Sequence, residues 1–217
     1  MTDPAEEIRR ALSQHLPVSD DEFDALYRDD LRPRARSHGS PMEVILRAGQ
    51  LLEPATGERI LDVGSGVGKV CLVGALSFPG TWFGIEHDRA QVTAANELSR
   101  RLGVADWTCF IRGDLDSIEW WHFDGIYLYN PPGSVLVERH ADPRHAPAEA
   151  AAIVERIVVG LGRARPGVRV VTYDGFGGAM PAGYEQVTSE QIHGGDLRMY
   201  TKRPRRRRSL GGGGGTR

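Results

Sequence analysis

Arg59-Ile60-Leu61-Asp62-Val63-Gly64-Ser65-Gly66-Val67-Gly68-Lys69 decides the fold of this 217-residue chain. Ile60 to Val63 has the continuous apolar character of a short buried strand, broken only by Asp62. The glycines that follow are spaced G-x-G-x-G, and Val67 to Leu76 reads as an apolar helix. A strand that turns sharply into a helix presents backbone N–H groups and the positive helix end at the turn. Glycine suits such a turn because φ is often positive there and because a ligand must approach the backbone closely. In open α/β sheets ligands lie at the carboxyl ends of parallel strands, so this turn is expected to bind a polar group.

Outward from the turn, strands and helices alternate, which implies a parallel sheet. Trp82 to Glu86 is the second predicted strand, followed by a helix from Asp88 to Leu102 that Gly103 closes. Trp107 to Arg112 is the third, with Asp114 just past its end. Phe123 to Tyr129 is the fourth, stopped by Asn130-Pro131-Pro132-Gly133. Ala148 to Leu161 reads as a helix and Val168 to Tyr173 as the fifth strand. Tyr184 to Thr188 and Leu197 to Thr201 read as a terminal antiparallel pair. Before the first strand, residues 3 to 16 have helical spacing, and Ser19 opens a second helix ahead of Phe23 and Leu26. Arg32 to Arg36 reads as a basic loop. Ser40-Pro41 reads as an N-cap and first helical position for a helix from Met42 to about Leu52.

Hydrophobic content of 40% and charged content of 26% are ordinary for a globular protein, and no apolar run approaches a membrane span. The acidic start carries no apolar signal region, so a cytoplasmic location is expected. The formal charge of −2 conceals an asymmetry. Seven of the 27 basic residues lie between Lys202 and Arg217, which leaves 20 against 29 acidic residues in the preceding body. An acidic body is poorly suited to hold a phosphate backbone. Arg205 to Arg208 and the five glycines after Leu210 cannot form a packed core, and a solubilising tail is favoured over a nucleic-acid arm because no aromatic residue is interleaved. Cys71 and Cys109 are both expected as small buried hydrophobes.

A nicotinamide or flavin fingerprint, G-x-G-x-x-G, would need glycine where Lys69 stands. Here the third glycine comes one residue early, at Gly68, and an acid lies inside the strand before the turn. With Leu61-Asp62-Val63-Gly64-Ser65-Gly66-Val67-Gly68 and the ordered acids after it, the chain resembles the class I S-adenosylmethionine-dependent methyltransferases over about residues 40 to 201. Within them it is similar to small bacterial methyltransferase-domain proteins of undefined substrate. The glycine turn and Gly84-Ile85-Glu86 alone also resemble the non-SET histone-lysine methyltransferases. The resemblance implies a Rossmann-like three-layer α/β sandwich with a mostly parallel seven-stranded sheet, preceded by N-terminal helices. The domain division expected is an N-terminal helical lid over 1–53, an S-adenosylmethionine-binding domain over 54–203 and an Arg/Gly-rich tail over 204–217.

The resemblance also implies roles for single residues. Gly64, Ser65 and Gly66 would close on the methionine part of S-adenosylmethionine, and Asp62 would hold the ammonium side or order water near it. Glu86, about two dozen residues past the turn, would accept both ribose hydroxyls. The other reading of Glu86 is a solvated loop acid. His87 either packs on the adenine or is an exposed loop residue. Asp114 would accept the adenine amino hydrogen, with Leu115 against the ring and Asp116 as the competing acid. Ser40 is explained by its N-cap role, with a contact to the methionine carboxylate as a second reading.

Asn130-Pro131-Pro132 resembles the motif of methyltransferases that act on planar amino groups. There a side-chain oxygen and a proline-held carbonyl accept hydrogens from the target nitrogen. Gly133 departs from the aromatic residue that stacks on such a target. A proline-stiffened turn is the competing reading. His140 to His145 sits in an irregular, proline-broken stretch, and no metal is expected there. Asp174-Gly175-Phe176-Gly177-Gly178, with Tyr173, is expected as a plain loop or as one wall of a substrate pocket.

The function expected is methyl transfer to a nitrogen or oxygen of a small molecule. A protein or nucleic-acid acceptor is the first alternative, and a non-catalytic S-adenosylmethionine-binding regulator the second.

Overall fold

A computed structural model describes residues 3–129 and 146–204. The elements run α1 (Pro4–Ser13), α2 (Asp20–Asp24), α3 (Arg32–His38), α4 (Met42–Leu52), β1 (Arg59–Val63), α5 (Lys69–Ser77), β2 (Thr81–Glu86), α6 (Arg89–Leu102), β3 (Thr108–Arg112), β4 (Gly125–Tyr129), α7 (Ala146–Arg163), β5 (Arg169–Tyr173), β6 (Tyr184–Ile192) and β7 (Gly195–Lys202). Two short 3₁₀ turns, Leu115–Ser117 and Trp120–His122, bridge β3 to β4.

The strands form one sheet in the order β3-β2-β1-β4-β5-β7-β6. The pairs β3–β2, β2–β1, β1–β4 and β4–β5 are parallel, whereas β7 pairs antiparallel with both β5 and β6. The chain winds from β1 towards β3 on one side and from β4 towards β6 on the other. The order therefore reverses between β1 and β4, and the crevice at their carboxyl ends is where such a sheet receives a ligand. The seven-stranded, mostly parallel sandwich is the fold expected from the sequence.

Two buried clusters sit on the two faces of the sheet. One joins Ala5, Ile8 and Leu12 of α1, Phe23, Ile45 and Leu52 to Leu72, Leu98 and the strand residues Ile60, Trp82 and Tyr127. The other joins Leu61, Val63, Ile126 and Leu128 to Ile157 and Leu161 of α7, with Trp120. The period-two alternation of β1 and β4 sends consecutive side chains to opposite clusters. Gly74 of α5 faces the indole of Trp82 so closely that an added Cβ would lie 2.5 Å from the ring. The absence of a side chain there sets how near α5 comes to β2.

Three local expectations are corrected. Arg32 to Arg36 is not a loop but most of α3, since Pro33 stands in the first turn, where its fixed φ is pre-organised for a helix. Ser40 is not the N-cap of α4: Pro41 occupies that position, and the helix's first N–H, that of Met42, donates instead to the Oδ1 of Asp20 at 3.0 Å. Cys109 is exposed, unlike Cys71, because β3 is an edge strand. Its alternation turns Cys109 and Ile111 outward while Phe110 enters the core.

Candidate functional site

β1 delivers Asp62 and Val63 to the switch point, and the turn follows with Gly64, Gly66 and Gly68 at φ values of +78°, +54° and +82°. The three glycines do different things. Among the described residues, a Cβ on Gly64 would meet no atom within 4 Å, and one on Gly66 would meet only the Oε1 of Gln91, at 3.3 Å. A Cβ on Gly68 would lie 2.6 Å from the Phe110 ring and 2.8 Å from the Ala95 Cβ. Gly64 thus faces space free of the described residues and Gly66 space bounded only by Gln91, while Gly68 packs the turn against β3 and α6.

The turn's own N–H groups differ from expectation. Those of Gly64 and Ser65 both donate to the Ile85 carbonyl, at 3.0 and 2.9 Å, and that of Gly68 donates to the Ser65 carbonyl at 2.8 Å. The N–H of Gly66 donates to Oε2 of Glu86 at 3.0 Å. These bonds fix the turn onto β2, and what the turn leaves open is the Cα side of its glycines. The Ser65 hydroxyl is buried without a hydrogen-bond partner among the described residues and lies beside Gly84, where a Cβ would come within 2.5 Å of Oγ.

Glu86 ends β2 directly across from the turn. It is buried rather than a solvated loop acid, and its Oε1 accepts from the Asp88 N–H at 2.9 Å. His87 is half exposed and sets its Nδ1 2.8 Å from the same oxygen. Asp88 then caps α6 by accepting from the Ala90 and Gln91 N–H groups. Past β3, Asp114 is exposed, and its carbonyl accepts from the N–H and hydroxyl of Ser117. Asp116 is bound two-pronged by Arg156, which leaves Asp114 as the acid without an ion pair here among the described residues. Leu115 is partly buried beside it.

Asp62 is almost fully enclosed, with Oδ2 4.0 Å from the Cys71 sulfur. Burial, reinforced by the nearby Glu86 carboxylate, pushes its pKa up to about 8. An unfolded aspartate titrates near ~3.9. Between those values the folded chain holds a proton that the unfolded chain has released, so stability falls as pH rises through that window. Asp62→Asn is therefore expected to flatten the decline of unfolding free energy from pH 5 to pH 9, measured by urea titration. An unaltered slope would place the proton elsewhere.

Three residues at the site were not legible in the sequence. Tyr127 of β4 is buried beside Asp62, and its hydroxyl shares a 2.7 Å hydrogen bond with that of Ser40. The serine thus anchors the N-terminal segment to the floor of the site. Lys69, the first residue of α5, is buried and sets its ammonium 2.6 Å from Asp20 and 2.7 Å from Asp24, tying α2 to the end of the glycine turn. Burial still holds the Asp24 carboxyl above its usual range, with Lys69 acting against that shift. Tyr129 ends β4 and stacks at 5.1 Å on Tyr173 at the end of β5. Phe176 is buried in the cluster on the α7 face, which favours the plain-loop reading of Asp174 to Gly178 over the pocket-wall one. Asn130, Pro131 and the His140 to His145 stretch lie outside the described residues.

No protein-family model matches the chain, and no curated protein matches it significantly. Solved structures do. An RNA methyltransferase from Salinibacter ruber in complex with S-adenosyl-L-homocysteine superposes with a TM-score of 0.57 at 22% identity, over 76% of this chain and 93% of that one. TrmN from Thermus thermophilus gives 0.60 at 19% identity over 78% of this chain, which spans about half (52%) of TrmN. The [4+2]-cyclase SpnF gives 0.53 at 16% identity, over 75% and 81%. The chain has the Rossmann-like fold of the class I methyltransferases, a fold that also carries a protein named for cyclisation.

Proposed function

We propose that the chain binds S-adenosylmethionine at the glycine turn and transfers its methyl group to a nitrogen or oxygen of a small molecule. One observation carries this reading: Gly64 and Gly66 face open space at the switch point, directly below the buried carboxylate of Glu86. The residues fit the cofactor's parts. The open glycines leave room for the methionine chain, and Asp62 meets its ammonium. Glu86 meets the ribose hydroxyls, and Asp114 and Leu115 the adenine. S-adenosylmethionine supplies an activated methyl group on a sulfonium. The protein's work is then to align donor and acceptor and to exclude water. Asn130 and Pro131, which follow Tyr129 in sequence, take the role of orienting the acceptor.

Glu86→Ala is expected to weaken S-adenosylmethionine binding by about 1–3 kcal/mol, the usual loss when a charged acceptor is removed. Isothermal titration of the variant against the parent measures it, and equal affinities would assign the ribose to another residue.

An RNA acceptor is the second reading. The Salinibacter structure favours it, being that of an RNA methyltransferase, and the acidic body opposes it. Removing residues 204–217 separates the two. Unchanged binding and activity on polymer substrates would take the arginine run out of the RNA case.

A further inference from the structure

Beyond the cofactor turn, on the β4–β5 side, the described residues form a second set with its own chemistry. In the β1–β4 register Val63 lies opposite Leu128, so Tyr129 is level with Gly64. Tyr129 is paired in turn with Tyr173 across β4 and β5. Adjacent strands lie about 4.8 Å apart, so the aromatic pair begins one strand away from the open glycines. Its rings are 5.1 Å apart and tilted by 42°. Tyr173 is fixed from behind, because its hydroxyl lies within hydrogen-bond distance of the Ile192 and His193 carbonyls. Tyr129 is the half-exposed member.

Asp174 follows immediately. It holds a left-handed backbone conformation, φ +51°, that a non-glycine residue rarely adopts. The strain is supported by a reciprocal pair of bonds to Asp196: its N–H donates to the Asp196 carbonyl and its Oδ1 accepts from the Asp196 N–H, both at 2.9 Å. Gly195 leaves room for this arrangement, since a Cβ there would lie 2.6 Å from both that Oδ1 and the Tyr173 ring. The carboxylate is exposed, and it lies near enough to both phenols to push them up, adding to burial. The neighbouring cation, Arg198, is engaged by Asp196, and no described cation pairs with Asp174.

We propose that Tyr129, Tyr173 and Asp174 form an acceptor subsite for an alkylamine, which arrives as its ammonium. The half-exposed Tyr129 ring, held against the buried Tyr173, and a carboxylate that no described cation pairs are surroundings that attract a cation, by ring quadrupole and by charge. This inference rests on the proposed methyl transfer and names its acceptor class. For transfer, the ammonium releases one proton to the Asp174 carboxylate and on to solvent. The freed nitrogen lone pair forms the N–C bond as the C–S bond breaks and its electron pair returns to sulfur. The products are a methylated ammonium and S-adenosylhomocysteine.

The test titrates full-length protein saturated with S-adenosylhomocysteine with 1,5-diaminopentane, phenethylamine and a lysine-containing peptide, and with the alcohol analogue of each amine. Amines are expected to bind and alcohols not. Asp174→Asn and Tyr129→Leu are each expected to lower amine affinity at least about tenfold while S-adenosylhomocysteine affinity stays unchanged, a tenfold loss being worth about 1.4 kcal/mol. Binding of the diamine or phenethylamine alone identifies a free amine as the source, and binding of the peptide alone identifies a protein lysine. If S-adenosylhomocysteine binds but no amine does, or if neither variant changes amine affinity, the subsite assignment is overturned and the cofactor reading stands. If S-adenosylhomocysteine itself does not bind, both fall.

Discussion

Gly66→Val is expected to lower affinity for S-adenosylmethionine by at least about 100-fold, roughly 2.7 kcal/mol, while the chain still folds. The one described atom within 4 Å of an added Cβ is the Oε1 of Gln91, at 3.3 Å, so the Cβ itself asks only a few tenths of an ångström of that side chain. The larger valine side chain takes up space assigned to the ligand. The φ of +54° adds strain of about 1–3 kcal/mol, which unfolding measurements separate from binding. Gly64→Ala is the companion variant. Its Cβ meets no described atom within 4 Å, but its φ of +78° carries the same kind of backbone strain, so unfolding measurements again separate strain from lost ligand contact. Near-normal binding by both variants would remove the turn from the cofactor site.

Lys69→Met is expected to have the largest effect on stability, a loss of about 3–5 kcal/mol, because it leaves a buried carboxylate unpaired. The lysine side chain is 4% exposed and that of Asp24 only 1%, whereas that of Asp20, at 42%, reaches water without its partner. The loss is expected to shrink in acid. Burial already holds the Asp24 carboxyl above its usual range, and protonation removes the charge that Lys69 offsets. Adding Asp24→Asn to Lys69→Met should recover part of the stability at neutral pH for the same reason. Denaturant unfolding of the single and double variants measures both effects. A single variant as stable as the parent would mean that Lys69 does not hold α2 to the turn.

The sheet was legible because glycines and short apolar runs punctuate this chain at the right places. Gly103 takes the left-handed conformation that ends α6, and Ser19 caps α2 through a reciprocal pair with Glu22. The placement of Glu86 at the end of β2 beside the turn was legible, since a parallel unit of this length returns to the same edge. What escaped are contacts that only tertiary folding creates. Lys69 meets Asp20 across 49 positions, and Ser40 meets Tyr127 across 87. Neither pairing leaves a local spacing to read. Ser40 also carried a sufficient local explanation as a helix cap, which concealed its actual bond. Cys109 was misplaced because alternation alone does not say which strand lies at a sheet edge. Arg156, 40 positions away, engages Asp116, a distinction between two nearby acids that sequence order does not contain.

The central claim is that the open side of Gly64 and Gly66 below Glu86 is a cofactor site. Isothermal titration of the unaltered chain with S-adenosylhomocysteine tests it most directly. One saturable site is expected, with the negative heat-capacity change of apolar burial as the adenine is enclosed. No saturable heat and no rise in melting temperature at about 1 mM ligand, where even a binding energy of about −4.1 kcal/mol would register, would contradict it.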